Sequence, residues 1–576
     1  MVPVACWLYL EGRGLTFYHD EWAYIIKRQE WDADSLLKPH VHNLSLVHVV
    51  VYKVMLATVG LDDYGGFRAM VILFHLAIVT FVFAYARRRV GDGGALVAAS
   101  LLLVMGAGWA FLLLPFQVNW GISLLTGLTA LVALERRHGP GDAAASVLLA
   151  LSVGSSSVGL PFLAGAAVHL LWTPPRPRRL WVLAVPIVLF VGWYLMWYLP
   201  YAPPAGRPES VDLVRLAASM AKSFAAAVGG LTGLGTALGA LVGLLAVILA
   251  LRRLRRNGRF AGLVALVATL LSYWFLTALL RPGEGEGSRY MYVGALLLAI
   301  IAAEVLRGTR MPRPVAGAAV AAVLVATVAG YFELQEASAK LHRTAATVYA
   351  GLGALEMARA TARPRLRPLP HLAGPVVVEP YFRAVDRFGS PAAAPAEIER
   401  APERARRSAD AVLAIALGLT LESRPAALTL ERQAPRVEAM PSGSLDVRGP
   451  CVDLRPASGR AELDLDLSVP GSRLSVSARG SSPVDVTLRR FADGFPTKGP
   501  SPEQLRHYEA TPLTPSGRIA VPRGASPLST PPRPSPRGLI GPRQTAALEL
   551  PPDRATGGGW HIRLTSQGPF SACQPR

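Results

Sequence analysis

The sequence predicts a polytopic α-helical membrane protein of about eleven transmembrane helices with a C-terminal extracytoplasmic β-sandwich. Three observations predict it. In a chain that is 51% apolar, charge is swept out of long stretches: 69–86, 93–134, 143–173, 180–201, 223–251, 260–280 and 314–332. Arginine clusters stand between these stretches, all on one side if the helices alternate. Towards the C-terminus the apolar pattern changes to a period of two, which is that of a half-buried strand.

A bilayer core takes about 20 apolar residues per helix, so some stretches hold one span and the longer ones hold pairs. Val2–Leu10 is too short to cross, and it lacks the basic start of a signal peptide. It reads as a first helix cut short at its N-terminus. Residues 11–66 then form an outer loop, in which Leu44–Val59, interrupted by His48 and Lys53, reads as an interfacial helix. A second helix, Phe67–Ala86, ends at Arg87-Arg88-Arg89. The third runs to near Leu114, Pro115–Trp120 makes a tight outer turn, and the fourth returns to Arg136. Two short helices flank Gly154–Gly159, and a seventh covers Leu180–Pro200. A helical piece of outer loop follows at Val211–Ala227. Helices eight and nine flank the Arg252–Arg259 cluster, the segment Arg281–Tyr290 is outside, and helices ten and eleven turn around Arg307–Arg313. The net charge of +20 therefore lies in short loops. By the positive-inside rule those loops are cytoplasmic in a plasma membrane, and the pattern excludes a nucleic-acid-binding face.

Residues 333–427 read as a helical and Pro-rich extracytoplasmic connector, with helical spacing at Glu333–Arg363 and Ala401–Leu417 and with Pro380–Arg383 between them. From 428 to 576 the alternation of Ala461–Val469, Leu474–Ala478 and Val484–Leu488 predicts antiparallel strands, continued at Ala546–Leu550 and Trp560–Thr565. Thr511–Pro542, rich in Pro, Ser and Arg, reads as a loose loop. Cys451 and Cys573 bracket this region; outside the cytoplasm they read as a disulfide, against two buried thiols as the alternative.

The polar residues of the outer side come from three places. The first loop supplies His19, Asp20, Glu21, Lys38, His40, His42 and Asn43. The turn after the third helix supplies Gln117 and Asn119. The loop before the tenth supplies Arg281, Glu284, Glu286, Arg289 and Tyr290. A carboxylate partly shielded at a membrane surface suits general-base work, and nearby Arg and Lys suit a phosphate leaving group. Each has a plainer reading. Asp20 and Glu21 also fit the first turn of a helix, Arg289 also fits a snorkelling anchor, and Tyr290 and Tyr292 fit the interfacial aromatic belt. His40 and His42 could ligate a metal from an extended segment but have no third fixed ligand in sequence. Gly285-Glu286-Gly287 lacks the Lys-Ser/Thr of a phosphate loop.

An Asp-Glu pair followed by an aromatic in the first outer loop (Asp20-Glu21-Trp22), a Pro/His segment some twenty residues on (Pro39-His40) and a late Arg-Tyr entering a helix (Arg289-Tyr290) resemble the GT-C glycosyltransferases. That superfamily includes the protein O-mannosyltransferases, aminoarabinose transferases and arabinosyltransferases. The resemblance covers residues 1–332 as architecture. It implies a sugar donor carried on a polyprenyl phosphate, with no nucleotide cofactor, and leaves a divalent metal open. It implies Asp20 as the base at the acceptor hydroxyl and Glu21 as orienting the site or holding the metal. Arg289, Tyr290 and Lys38 would meet the donor phosphate, and His19, His40, His42, Asn43, Asn119 and Glu286 would line the acceptor side. After Lys38 the chain runs Pro39-His40-Val41, where Pro-Pro or Pro-Leu often follows in the aminoarabinose and mannosyl transferases. The β-region is similar in placement to the carbohydrate-binding modules of arabinosyltransferases.

The expectation is a membrane glycosyltransferase that passes a sugar to a hydroxyl of a cell-envelope glycan, lipid or protein. Heavy Ala, Arg, Gly and Pro usage points to a bacterial source. The alternative is a non-catalytic transporter or flippase of a lipid-linked glycan, or an export partner. Transporters place charge at mid-bilayer, whereas here only Glu304 lies within a span, close to Arg307.

Overall fold

The computed structural model describes residues 1–41, 43–136, 139–173, 179–201, 212–257, 261–309, 313–360, 362–369, 372–416, 435–439, 443–457, 460–467, 473–493, 537–540, 542–549 and 560–574. They fall into two compact units. The first comprises 1–13, 28–59 and 63–341; the second comprises 14–27, 60–62 and 342–576. The first loop, continuous in sequence from 11 to 66, is thus divided between them.

The apolar stretches form helices long enough to cross a bilayer, all in the first unit except residues 342–357 of the last. Seven are found among the described residues: Tyr64–Leu103, Pro115–Leu134, Trp181–Tyr198, Gly235–Arg255, Gly262–Leu280, Ser288–Val305 and Arg313–Met357. Val2–Glu11, Leu46–Thr58 and Ser157–Trp172 are apolar but shorter. Leu241, Leu244, Leu245, Leu324 and Val328 are each more than half exposed. Large aliphatic side chains presented in rows along a helix need hydrocarbon as their solvent. The protein is a multi-pass helical membrane protein.

The spans differ from the sequence reading where small residues intervene. Tyr64–Leu103 contains two helices joined at Gly91, whose φ of 78° and ψ of −179° are open to glycine alone. The second of them stops at Leu103 and not near Leu114. It gives way to the turn Gly106–Gly108 and the short helix Trp109–Leu113. The reason is close packing: a Cβ at Gly106 would lie 1.9 Å from the carbonyl oxygen of Gly330. The expected outer helix at 211–227 is longer, Leu213–Thr232. Asp212 caps it by accepting from the Val214 and Arg215 amides, and it ends at Gly233 in the left-handed region. It packs against Gly235–Asn257 through Gly229 and Gly239, each lacking the Cβ that would strike facing backbone.

The described residues of the second unit hold Glu21–Lys27, Val378–Phe388, Pro395–Arg400 and Glu403–Ala416, with ten strands. Pro380–Arg383 lies on the helix Val378–Phe388. The strands are β1 (Arg436–Ala439), β2 (Gly443–Arg448), β3 (Cys451–Pro456), β4 (Ala461–Leu467), β5 (Arg473–Ala478), β6 (Val484–Arg489), β7 (Arg537–Ile540), β8 (Thr545–Glu549), β9 (Trp560–Ser566) and β10 (Phe570–Cys573). Two antiparallel five-stranded sheets result, ordered β1-β4-β9-β6-β7 and β2-β3-β10-β5-β8. Their buried faces are the alternate apolar residues. Leu463, Leu465, Val486, Leu488, Ile562 and Leu564 lie on one sheet; Val452, Leu454, Leu474, Val476, Phe570 and Ala572 lie on the other. β7 falls inside the stretch read from sequence as a loose loop, because Arg537–Ile540 pairs with β6. Cys451 stands opposite Cys573 on β3 and β10, and the two form the disulfide.

Candidate functional site

The Asp-Glu stretch heads the helix Glu21–Lys27 of the second unit. Trp22, Ile25 and Ile26 recur at helical spacing and are all buried; the Trp22 ring lies 5.7 Å from Phe17 and 5.8 Å from Tyr381. The chain enters through His19, whose φ of 34° places it in the left-handed region. This turn sends the two carboxylates to different ends. Glu21 is fully buried, and its Oε2 accepts the Tyr18 amide at 2.8 Å, closing the turn. Asp20 keeps 38% of its side chain exposed, and its Oδ1 lies 3.2 Å from Nδ1 of His19. The hydrogen bond to Asp20 raises the His19 pKa above its ordinary value against the opposing effect of burial. Burial, with the Asp20 charge adding, raises that of Tyr18. An aspartate with an imidazole in hydrogen-bond reach can accept a proton and pass it on.

Behind Trp22, the buried Tyr381 hydroxyl donates to Glu356 Oε1 at 2.7 Å, and the Ser390 hydroxyl donates to the same oxygen at 2.6 Å. Burial, then the Glu356 charge, holds the Tyr381 phenol well above its ordinary value. Glu356 and Ser390 carry no local sequence signal. Only the packing of Val378–Phe388 against Glu21–Lys27 reveals them.

The remaining candidates belong to the first unit. Gly283, in the left-handed region, turns the chain so that Glu284 faces Arg289 and Tyr290 at the start of Ser288–Val305. The Tyr290 hydroxyl donates to Glu284 Oε2 at 2.9 Å, and Arg289 Nη2 lies 3.4 Å from the same oxygen. The guanidinium stacks over the Tyr290 and Trp120 rings at 4.9 and 5.5 Å. Trp120, which the sequence reading did not select, is thus part of the Arg289 cluster. Glu286 points to solvent.

Asn119, expected to line the acceptor side, has its side chain packed inside the first unit. It is 3% exposed in the first turn of the helix Val118–Leu134, where its Oδ1 accepts the Trp120 amide at 2.8 Å. Gln117 is likewise buried. The tight turn at Pro115–Gln117 is a single 3-10 turn, and its residues are buried. His40 and Asn43 pair through their backbones, the His40 ring lies 5.6 Å from Phe116, and Asn43 Oδ1 accepts the Ser157 amide at 3.2 Å. Lys38 is half-buried at the end of the helix Ala33–Leu37. His42 lies outside the described residues. Among the described residues, no three His, Cys, Asp or Glu side chains come together in a way that could hold a metal ion.

The fold and the two clusters define a helical membrane protein with an acid-imidazole pair in one unit and an arginine-aromatic cluster in the other. No protein-family model and no curated protein matches the chain. Among solved structures it is similar to ArnT from Cupriavidus metallidurans bound to undecaprenyl phosphate, with 14% identity and a TM-score of 0.40 over 63% of this chain and 80% of that one. A likeness of that size carries no assignment.

Proposed function

We propose that this chain is an integral membrane glycosyltransferase. It takes a sugar from a polyprenyl-phosphate donor and passes it to a hydroxyl of a cell-envelope acceptor on the outer face. The observation that carries the reading is the division of labour at Asp20-Glu21. Glu21 is spent on the turn, while Asp20 stays partly exposed beside His19. The turn accounts for the first carboxylate; the second keeps 38% of its side chain exposed, where an acceptor hydroxyl can reach it. Asp20 is the base that takes the acceptor hydroxyl proton as the sugar carbon–phosphate oxygen bond breaks. The phosphate leaves with the electron pair, and His19 shares the proton. Glu21 becomes a positioning residue, not a metal ligand. Arg289, held by Glu284 and two rings, and Lys38 are the donor-phosphate cations. The parity of the Arg-rich loops supports an extracytoplasmic place for the residues after the last span.

The test supplies the purified chain with a panel of polyprenyl-phosphate sugars. The wild type consumes one of them. Asp20→Asn stays folded and loses about 10²- to 10⁴-fold in turnover, the usual cost of removing a general base. Arg289→Ala, assayed separately, raises KM for the donor. Equal turnover by Asp20→Asn removes the base assignment. Failure of the wild type to consume any donor, with transport of a lipid-linked glycan in vesicles, establishes the transporter reading instead.

A further inference from the structure

The segment 28–38 of the first unit has a single short helix, Ala33–Leu37, and its backbone is held by three buried donors, its own Arg28 and, from outside, Lys53 and Trp193. Arg28, 4% exposed, donates from Nη1 to the Ser35 carbonyl at 3.0 Å and from Nη2 to the Lys38 carbonyl at 2.5 Å. Lys53, 7% exposed on the helix Leu46–Thr58, donates from Nζ to the Arg28 carbonyl at 2.6 Å and the Glu30 carbonyl at 2.5 Å. Its ammonium also stands 4.9 Å above the Trp31 ring. Trp193 Nε1 donates to the Leu37 carbonyl at 2.7 Å.

The carbonyls of Ser35, Leu37 and Lys38 belong to the end of a helix, where the last acceptors have no intrahelical donor. Burying an ammonium on an otherwise apolar helix is costly, and a methionine of similar length would pack there without that cost. What lysine adds at position 53 is its grip on the backbone of Arg28 and Glu30. Arg28 in turn grips Ser35 and Lys38. The two cations form a relay that starts on Leu46–Thr58 and ends at the residue before Pro39.

We propose that Lys53, acting through Arg28, is a positioning residue that fixes the Lys38–His40 segment so that the Lys38 ammonium meets the phosphate of the lipid-linked donor. The proposal rests on the donor reading above. The relay explains why so short a helix ends at one defined place, and it gives Lys38 the fixed geometry that phosphate recognition by a flexible lysine otherwise lacks.

The experiment measures binding of undecaprenyl phosphate to the full-length chain in detergent, with a thermal midpoint recorded for every variant. Wild type binds. Lys38→Ala and Lys53→Met each weaken binding by about 10- to 100-fold, the loss of one charge-assisted hydrogen bond. Lys53→Arg, which keeps charged donors, recovers part of the loss. The double variant Lys38→Ala/Lys53→Met binds no more weakly than Lys38→Ala alone, because Lys53 acts only through Lys38. If Lys53→Met does not fold, Arg28→Lys replaces it and shows the same non-additivity. Losses that multiply in the double variant overturn the relay and leave the donor reading standing, as does an undiminished affinity in folded Lys53→Met. A wild type that binds no undecaprenyl phosphate overturns the donor reading and this inference together.

Discussion

At Tyr18–Trp22 the left-handed turn of His19 determines what each neighbouring side chain reaches, and it does so without any help from residue type. Glu21 falls inward to the Tyr18 amide, and Asp20 falls outward to the imidazole. The pair makes a titration testable. Because the hydrogen bond to Asp20 raises the His19 pKa, the stability it adds is present below the ordinary imidazole value and is lost as pH rises through the raised one. Asp20→Asn removes the charge, so the His19 resonance in an NMR titration moves to a lower midpoint. An unchanged midpoint refutes the coupling. The adjacent carboxylates were visible in the sequence, but their separate roles were not: the left-handed turn at one histidine separates them.

Helices and strands here are joined by single polar groups at their ends. Asp410 on Glu403–Ala416 is 1% exposed and accepts the amides of Arg490, Phe491 and Ala492 at 3.0–3.1 Å, tying that helix to the turn after β6. Beside it Arg406 forms a two-pronged pair with Asp493, at 2.7 Å on each oxygen. The three amides favour the carboxylate, but burial outweighs them and pushes Asp410 up to about 6. For an acid raised in this way the favourable contribution is complete below its unfolded value and is lost as pH rises through about 6. A displacement of that size is worth roughly 3 kcal/mol. The thermal midpoint of the sandwich should therefore gain a component on acidification from pH 7 to 5 that Asp410→Asn abolishes. A pH profile identical in the two proteins removes Asp410 as its source. Nothing in the local sequence marks this residue, since its partners lie about eighty positions away.

For the molecule as a whole, the disulfide closes the sandwich between its third and last strands, across a separation of 122 residues. In the loop-entropy picture a closure of that length stabilises by about 4–5 kcal/mol. Cys451→Ser should lower the unfolding midpoint of the sandwich in the full chain by several degrees and leave the helical signal of the spans in place. Equal midpoints with and without reductant would refute it.

What the sequence by itself determined is whatever depends on periodicity and composition. Charge-free runs flanked by arginine require a bilayer, because no water-soluble core accommodates them. Strict alternation at Ala461–Leu467 requires a two-faced sheet, and two cysteines at the ends of that region sufficed to anticipate their bond. What only the tertiary structure decided is whatever depends on close approach between residues distant in the chain. The contact of Gly106 with Gly330 ends a helix early, and the packing inside the first unit buries Asn119, which residue type alone marked as a lining group. In sequence Lys53 only marks Leu44–Val59 as interfacial, whereas in the structure its ammonium reaches carbonyls at 28 and 30. Propensity and pattern act over a few residues, whereas hydrogen bonding of a buried cation and the room left for a Cβ are settled by neighbours that the linear order does not show.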